Sequence, residues 1–130
     1  MNKLALLPLL AITASCAAMP NRPVFLTGQW GGQGAELLIE GGLATVRYDC
    51  AGGTIDSNLS AAGTFSAPGS YRAGQPGPVR VGQIFTSVKA TYSGTVEKDK
   101  MVLTAKLEDG TVIGPHMLTQ NRPGQLTSCN

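Results

Sequence analysis

The stretch Ala90–Leu107, ATYSGTVEKDKMVLTAKL, constrains this chain more than any other. Ala90, Tyr92, Gly94 and Val96 fall on one side, with Thr91, Ser93, Thr95 and Glu97 on the other. After the polar turn Lys98-Asp99-Lys100, Met101, Leu103, Ala105 and Leu107 alternate with Val102, Thr104 and Lys106. Successive side chains of a strand leave opposite faces, so this two-residue period predicts two half-buried antiparallel strands. A two-stranded ribbon is marginal in water, and the hairpin therefore calls for further strands that share its apolar face.

Upstream, Ala35, Leu37 and Ile39 alternate with Glu36, Leu38 and Glu40, and Gly41-Gly42 supplies a turn. Leu43–Cys50 continues with Ala44, Val46, Tyr48 and Cys50 inward, completing a second hairpin signal. Ala51-Gly52-Gly53 is expected to break that strand, which resumes weakly over Thr54–Leu59. Gly63–Ala67 adds a short strand centred on Phe65, and Val81–Phe85 an edge strand. Asp109-Gly110 is a turn, followed by a last strand, Thr111–Thr119. Pro115 within it is tolerated only at an edge or a bulge. No helical period of useful length follows the amino-terminal stretch. The pattern predicts an all-β fold: a small antiparallel up-and-down barrel or sandwich of six to eight short strands.

A chain of 130 residues has room for one domain. Lys3 followed by the apolar run Leu4–Ile12 reads as a secretory signal, too short to span a bilayer comfortably. Ile12-Thr13-Ala14-Ser15-Cys16 resembles a bacterial lipobox, with Thr13 where Leu is most common. That resemblance implies a signal peptide over 1–15, a lipidated Cys16 with a tether over 16–27, and a β domain over 28–130. It also implies anchorage in the envelope, facing the periplasm, since each buried acyl methylene adds about 0.8 kcal/mol. Ordinary cleavage near Ser15-Cys16-Ala17 or Cys16-Ala17-Ala18 gives instead a soluble periplasmic or secreted protein.

With Cys16 at the processing site, Cys50 and Cys129 remain as an even pair in an exported chain. A disulfide between them is expected in that compartment. Closing a loop of about 80 residues, it is worth about 4–5 kcal/mol on chain entropy alone. No Cys-x-x-Cys or His-rich spacing is present to build a zinc site.

Charge excludes little and supports no nucleic-acid partner. Without Lys3 the mature chain is one unit positive, and no Lys or Arg run concentrates a field. No aromatic residue interleaves with a basic patch to stack bases. Catalytic signatures are likewise missing: there is no Gly-x-Ser-x-Gly, no His-Glu-x-x-His and no phosphate-cradling glycine loop. Asp49 and Asp56 could pair as carboxylates only if the fold held them at a fixed short distance. They read more simply as outward strand or turn residues. His116, the sole histidine, reads as a surface or half-buried strand residue, since a metal or general base needs partners that residue order does not assign. No enzyme, metal or cofactor is expected.

Two features bear on recognition. Trp30, the only tryptophan, sits among glycines in Gly28–Gly32. It is expected to plug the bottom of the core with its N–H on a backbone carbonyl; the competing reading places it in a ligand pocket or interface. Ala67–Gly82, APGSYRAGQPGPVRVG, is expected to form an irregular surface loop in which Tyr71, Arg72 and Arg80 have recognition potential.

The Gly28-x-Trp30 opening ahead of a strand meander resembles the start of lipocalin- and avidin-like barrels, which hold ligands in aromatic-lined cavities. One Trp, three Tyr and three Phe, however, fill a small barrel more readily than they line a cavity. The set Gly28/Trp30/Gly31/Gly32, Cys50/Gly52/Gly53, Gly63/Phe65, Gly77/Pro78, Tyr92/Gly94, Met101/Leu103 and Cys129 resembles small bacterial envelope lipoproteins. A looser likeness is to the periplasmic and membrane-bound lysozyme inhibitors. These resemblances imply a non-catalytic envelope lipoprotein that contacts a protein or a peptidoglycan-related partner. The alternatives are an inhibitor-like module inserting the 67–82 loop into a hydrolase cleft, or a carrier of a small apolar ligand in a cavity touching Trp30.

Overall fold

The computed structural model describes residues 24–61, 63–74 and 86–128. Eight strands follow one another: β1 (Gly28–Gly32), β2 (Ala35–Glu40), β3 (Leu43–Tyr48), β4 (Ala51–Ile55), β5 (Gly63–Ala73), β6 (Val88–Glu97), β7 (Lys100–Leu107) and β8 (Val112–Gln120). Each pairs antiparallel with its neighbour in sequence, and β1 pairs with β8, so the sheet closes into an up-and-down barrel. The closing seam is short, with only Trp30 opposite Gln120 and Gly31 opposite Thr119.

The hairpin β6–β7 keeps the register its alternation requires, from Ala90 opposite Leu107 to Glu97 opposite Lys100. Ala90, Tyr92, Met101, Leu103 and Ala105 are buried with Trp30, Leu37, Val46, Ile55 and Leu118 in one interior cluster. The outward rows of β5, β6 and β7 carry Thr64, Ser66, Thr91, Ser93, Thr95, Thr104 and Lys106. A membrane-spanning barrel turns an apolar band outward; these rows suit water. Among the described residues no helix is long and apolar enough to cross a membrane.

Three expectations are corrected. Ala51-Gly52-Gly53 does not break a strand but begins β4; the break is the turn Asp49-Cys50, where Cys50 has φ 56° and belongs to neither strand, not to the inward row of β3. Gly53 is a strand glycine because a Cβ there would lie 2.1 Å from the Ser70 carbonyl oxygen and 2.3 Å from the Tyr92 hydroxyl. Beyond β4 the expected strand over Thr54–Leu59 holds only Thr54 and Ile55, because Asp56–Leu59 turn towards the amino terminus. Finally, Gly63–Ala67 is the first part of an eleven-residue strand that runs through Pro68, Tyr71 and Arg72 to Ala73. Pro68 is accommodated on the outward row, opposite Thr91. The expected edge strand Val81–Phe85 lies outside the described residues.

Pro115 sits where its missing N–H does least harm. The register between β7 and β8 shifts between Leu103 and Ala105, and Gly114-Pro115 is the cis peptide at that bulge. Residues 121–125 double back over β1 and β2. The Gly124 N–H donates to Glu36 Oε2 at 2.7 Å, and Gln125 bridges to Gln33. Glu36 lies on an outward row yet is only 8% exposed, because this strap covers it. Gln29 Nε2 at 3.4 Å and Arg47 Nη1 at 3.7 Å complete its surroundings.

Candidate functional site

The two ends of the barrel differ in chemistry. At the amino-terminal end, the Leu26 N–H donates to the Leu59 carbonyl and the Ala61 N–H to that of Val24, each at 2.8 Å. Leu26 and Leu59 are thereby held as a plug, 6% and 1% exposed. Above them Trp30 is 1% exposed, and its indole N–H donates to the Thr27 carbonyl at 3.2 Å. Trp30 thus takes the core-plugging role, and neither groove described below is lined by it.

In the middle of the barrel, Tyr92 is wholly buried and crosses the interior. Its hydroxyl donates to the Ser70 carbonyl at 2.7 Å. Glycines at 53, 69 and 94 make room for Tyr92 and Phe65: a Cβ on Gly69 would lie 2.9 Å from the Tyr92 ring, and one on Gly94 2.6 Å from the Phe65 ring.

At the opposite end, where the β1–β2, β3–β4 and β7–β8 turns gather, the interior becomes polar. Tyr48 packs its ring 5.2 Å from His116 and 5.9 Å from Tyr71, centroid to centroid. Tyr48 Oη and His116 Nδ1 are both buried and, among the described residues, have no hydrogen-bond partner. Burial raises the Tyr48 pKa well above its ordinary value, and the neighbouring Tyr92 and Tyr71 raise it further. The approach of Tyr48 to Tyr92 still falls short of hydrogen-bond geometry. Burial lowers the His116 pKa, and the Asp49 carboxylate pulls it partway back. Gly34, at φ 82°, lies beside this cluster: a Cβ there would stand 3.4 Å from Asp49 Oδ2 and 3.6 Å from His116 Nε2.

Asp49 and Asp56 lie at opposite ends of β4, about 17 Å of strand apart, and do not form a carboxylate pair. Asp49 accepts the Thr127 N–H at 2.6 Å. Among the described residues no group of three His, Cys, Asp or Glu side chains could hold a metal ion. Tyr71 and Arg72 belong to β5, not to a loop; Tyr71 joins the interior ring cluster, while Arg72 faces outward and is exposed. Cys50 is disulfide-bonded; Cys16, Arg80 and Cys129 lie outside the described residues.

Among the described residues, grooves mark the outer surface. One, of about 720 Å³, runs over β3, β4 and β5 beside Leu126–Ser128. Another, of about 580 Å³, lies over β5, β6 and β7 among Asp56, Lys89, Lys106 and Glu108. The ring cluster was not legible in the chain, because Tyr48, Tyr71 and His116 come from three strands that meet only when the barrel closes.

The closed eight-stranded antiparallel barrel is broadly consistent with lipocalin- and avidin-like barrel folds. Comparison with protein-family models, with curated proteins and with solved structures gave no match to this chain.

Proposed function

We propose that this chain is a non-catalytic binding protein of the bacterial cell envelope that holds a small ligand at the Tyr48 end of its barrel. One observation carries the reading: a buried tyrosine hydroxyl and a buried imidazole nitrogen, within a cluster of three rings, have no hydrogen-bond partner among the described residues. A buried polar group without a partner costs about 1–3 kcal/mol, which a ligand that bonds to it recovers. Ring faces with a few convergent polar atoms suit a compact, partly apolar molecule bearing a carbonyl or hydroxyl group. The filled space around Trp30 favours this mouth over a central cavity.

The address rests on the signal-like start and the lipobox resemblance, with acylation at Cys16 tethering the barrel. We pair Cys50 with Cys129, because the Thr127–Asp49 bond brings the tail beside Cys50 two residues before its second-last position. Mass spectrometry of the native protein, alkylated without reduction, reads both modifications.

The ligand is tested by native mass spectrometry of protein isolated from its host, compared with Tyr48→Phe. The expected result is a released small molecule, retained at least tenfold less well by the variant. A wild-type protein that carries nothing, and whose tyrosine signals stay unmoved across a library of small carbonyl compounds, overturns the reading.

A further inference from the structure

The plugged end of the barrel gathers exposed apolar side chains at the point where the amino-terminal segment enters. Val24 is 68% exposed, Phe25 45% and Leu43 56%. Backbone bonds place the first two. The Leu26 N–H on the Leu59 carbonyl and the Ala61 N–H on that of Val24 make residues 24–26 and 59–61 a short antiparallel pair, with Phe25 opposite Ser60. Leu26 and Leu59 are the buried plug, and alternate side chains leave opposite faces, so Phe25 points away from the core. The turn between β2 and β3 abuts the same segment: a Cβ on Gly42 would lie 3.0 Å from Asn58 Oδ1, and Leu43 follows at once.

Elsewhere among the described residues the exposed large apolar side chains stand singly. Val88 and Val112, at the mouth, belong to β6 and β8 with β7 between them, and Leu38 and Met117 lie on the side wall. Scattered surface apolar residues are ordinary, whereas a group at one end marks a contact.

The direction of the chain supplies the occupant. Residues 16–23 join Cys16 to Val24, and eight residues reach at most about 28 Å. With Cys16 acylated, the plugged end is the part of the barrel held nearest the bilayer. A partner protein or a second copy would have to enter that gap.

We infer that Val24, Phe25 and Leu43 seat this end on the bilayer surface, leaving the Tyr48 end directed away from the membrane. The inference rests on the acylation of Cys16 proposed above. Charge does not drive the contact. Glu40 lies opposite Leu43 and Asp56 follows β4 at this end, while Lys98 and Lys100 are balanced on their own turn by Glu97 and Asp99. Apolar burial among the headgroups therefore holds the barrel down, and salt should leave it in place.

The test uses the mature protein from its host in vesicles of phosphatidylethanolamine and phosphatidylglycerol, with Cys16→Ser protein in free solution as the unanchored reference. Amide exchange at Gly41-Gly42, on the plugged end, is expected to slow at least about fivefold on the vesicles, while Asp109-Gly110, at the mouth, keeps its rate. The slowing should persist from 50 to 500 mM salt. Val24→Ser/Leu43→Ser, at the two most exposed of the three positions, should restore the solution rate at Gly41-Gly42 with circular dichroism unchanged, although acyl chains still hold the protein to the vesicle. Equal rates on and off the vesicles, slowing at Asp109-Gly110 instead, slowing that salt abolishes, or slowing in free solution that grows with Cys16→Ser concentration, as a second copy would cause, would each overturn the inference. The intact mass of the same sample separates two failures. An acylated protein without slowing sinks the docking alone; an unacylated one overturns the anchor and the docking together. Neither bears on the small ligand at the Tyr48 end.

Discussion

The Tyr92 hydroxyl reaches the Ser70 carbonyl at 2.7 Å by passing over Gly53, whose missing side chain is the space the bond occupies. Three strands are thereby tied through one phenol, and the tie sets the first expectation. Gly53→Ala should destabilise the barrel by about 3 kcal/mol or more, beyond the usual range for overpacking, because the backbone of β5 blocks the methyl group. Tyr92→Phe should cost about 1–2 kcal/mol for the lost bond and the stranded carbonyl. The double variant should gain no rescue, since the Ser70 oxygen still lies 2.1 Å from the new Cβ. Urea unfolding of the three variants reads this; recovery in the double would show the hydroxyl, not the carbonyl, to be the obstacle.

The strap over β1 and β2 is held by the bond from Gly124 to Glu36. Glu36→Ala should speed amide exchange over residues 122–127 by at least tenfold while β6 and β7 keep their protection. Unchanged exchange in the tail would mean that other contacts hold it.

Acid should loosen the mouth. The His116 pKa is held below its ordinary 6.5, chiefly by burial. As pH falls, the unfolded chain takes up this proton before the folded one. The contribution is therefore complete above about pH 6.5 and is lost as pH drops from there towards the folded value. The urea midpoint should fall between pH 7.5 and 5.5, and His116→Gln should shrink that fall. An equal fall in both proteins would assign it to other groups.

Alkali acts on the same interior from the other side. The Tyr92 pKa is pushed up to about 12, first by burial and then by Tyr71. Because the folded value exceeds the ordinary 10.0, stability is full below pH 10 and is lost as pH rises through about 12. Tyrosine absorbance near 295 nm should show Tyr92→Phe lacking a late, unfolding-linked step that the wild type has.

Trp30 reports from the plugged end. Its emission should be blue-shifted and resistant to iodide, and it should stay so when a ligand enters at Tyr48. A ligand that quenches or shifts it would place the site beside the indole instead.

What could be read from the chain was whatever alternation writes into it. The hairpins read at Ala35–Cys50 and Ala90–Leu107, the turn at Asp109-Gly110 and the edge or bulge at Pro115 all follow from local period or from the geometry of proline, and the strands found lie within two residues of those hairpin bounds. Gly52-Gly53 misled because glycine in a strand looks like an interruption until the neighbour that needs its space is known, and Tyr92 lies 39 positions downstream of Gly53. Tyr71 and Arg72 looked like loop residues because prolines and glycines surround them, although an outward position opposite Thr91 accommodates Pro68. The ring cluster of Tyr48, Tyr71 and His116 depends on register between strands, which no single stretch encodes. The burial of Glu36 depends on a tail 88 residues away.

The two-pair seam between β1 and β8 gives the barrel a direction in time. Its first strand has no second partner until the eighth strand has been made, and that closure spans about 90 residues of sequence. A chain still emerging from a ribosome or an export channel can zip β2 through β7 as a curved, open sheet, but it cannot become a cylinder before residue 120 is free. Shortening the protein from its carboxyl end should therefore leave an unclosed sheet rather than a smaller barrel.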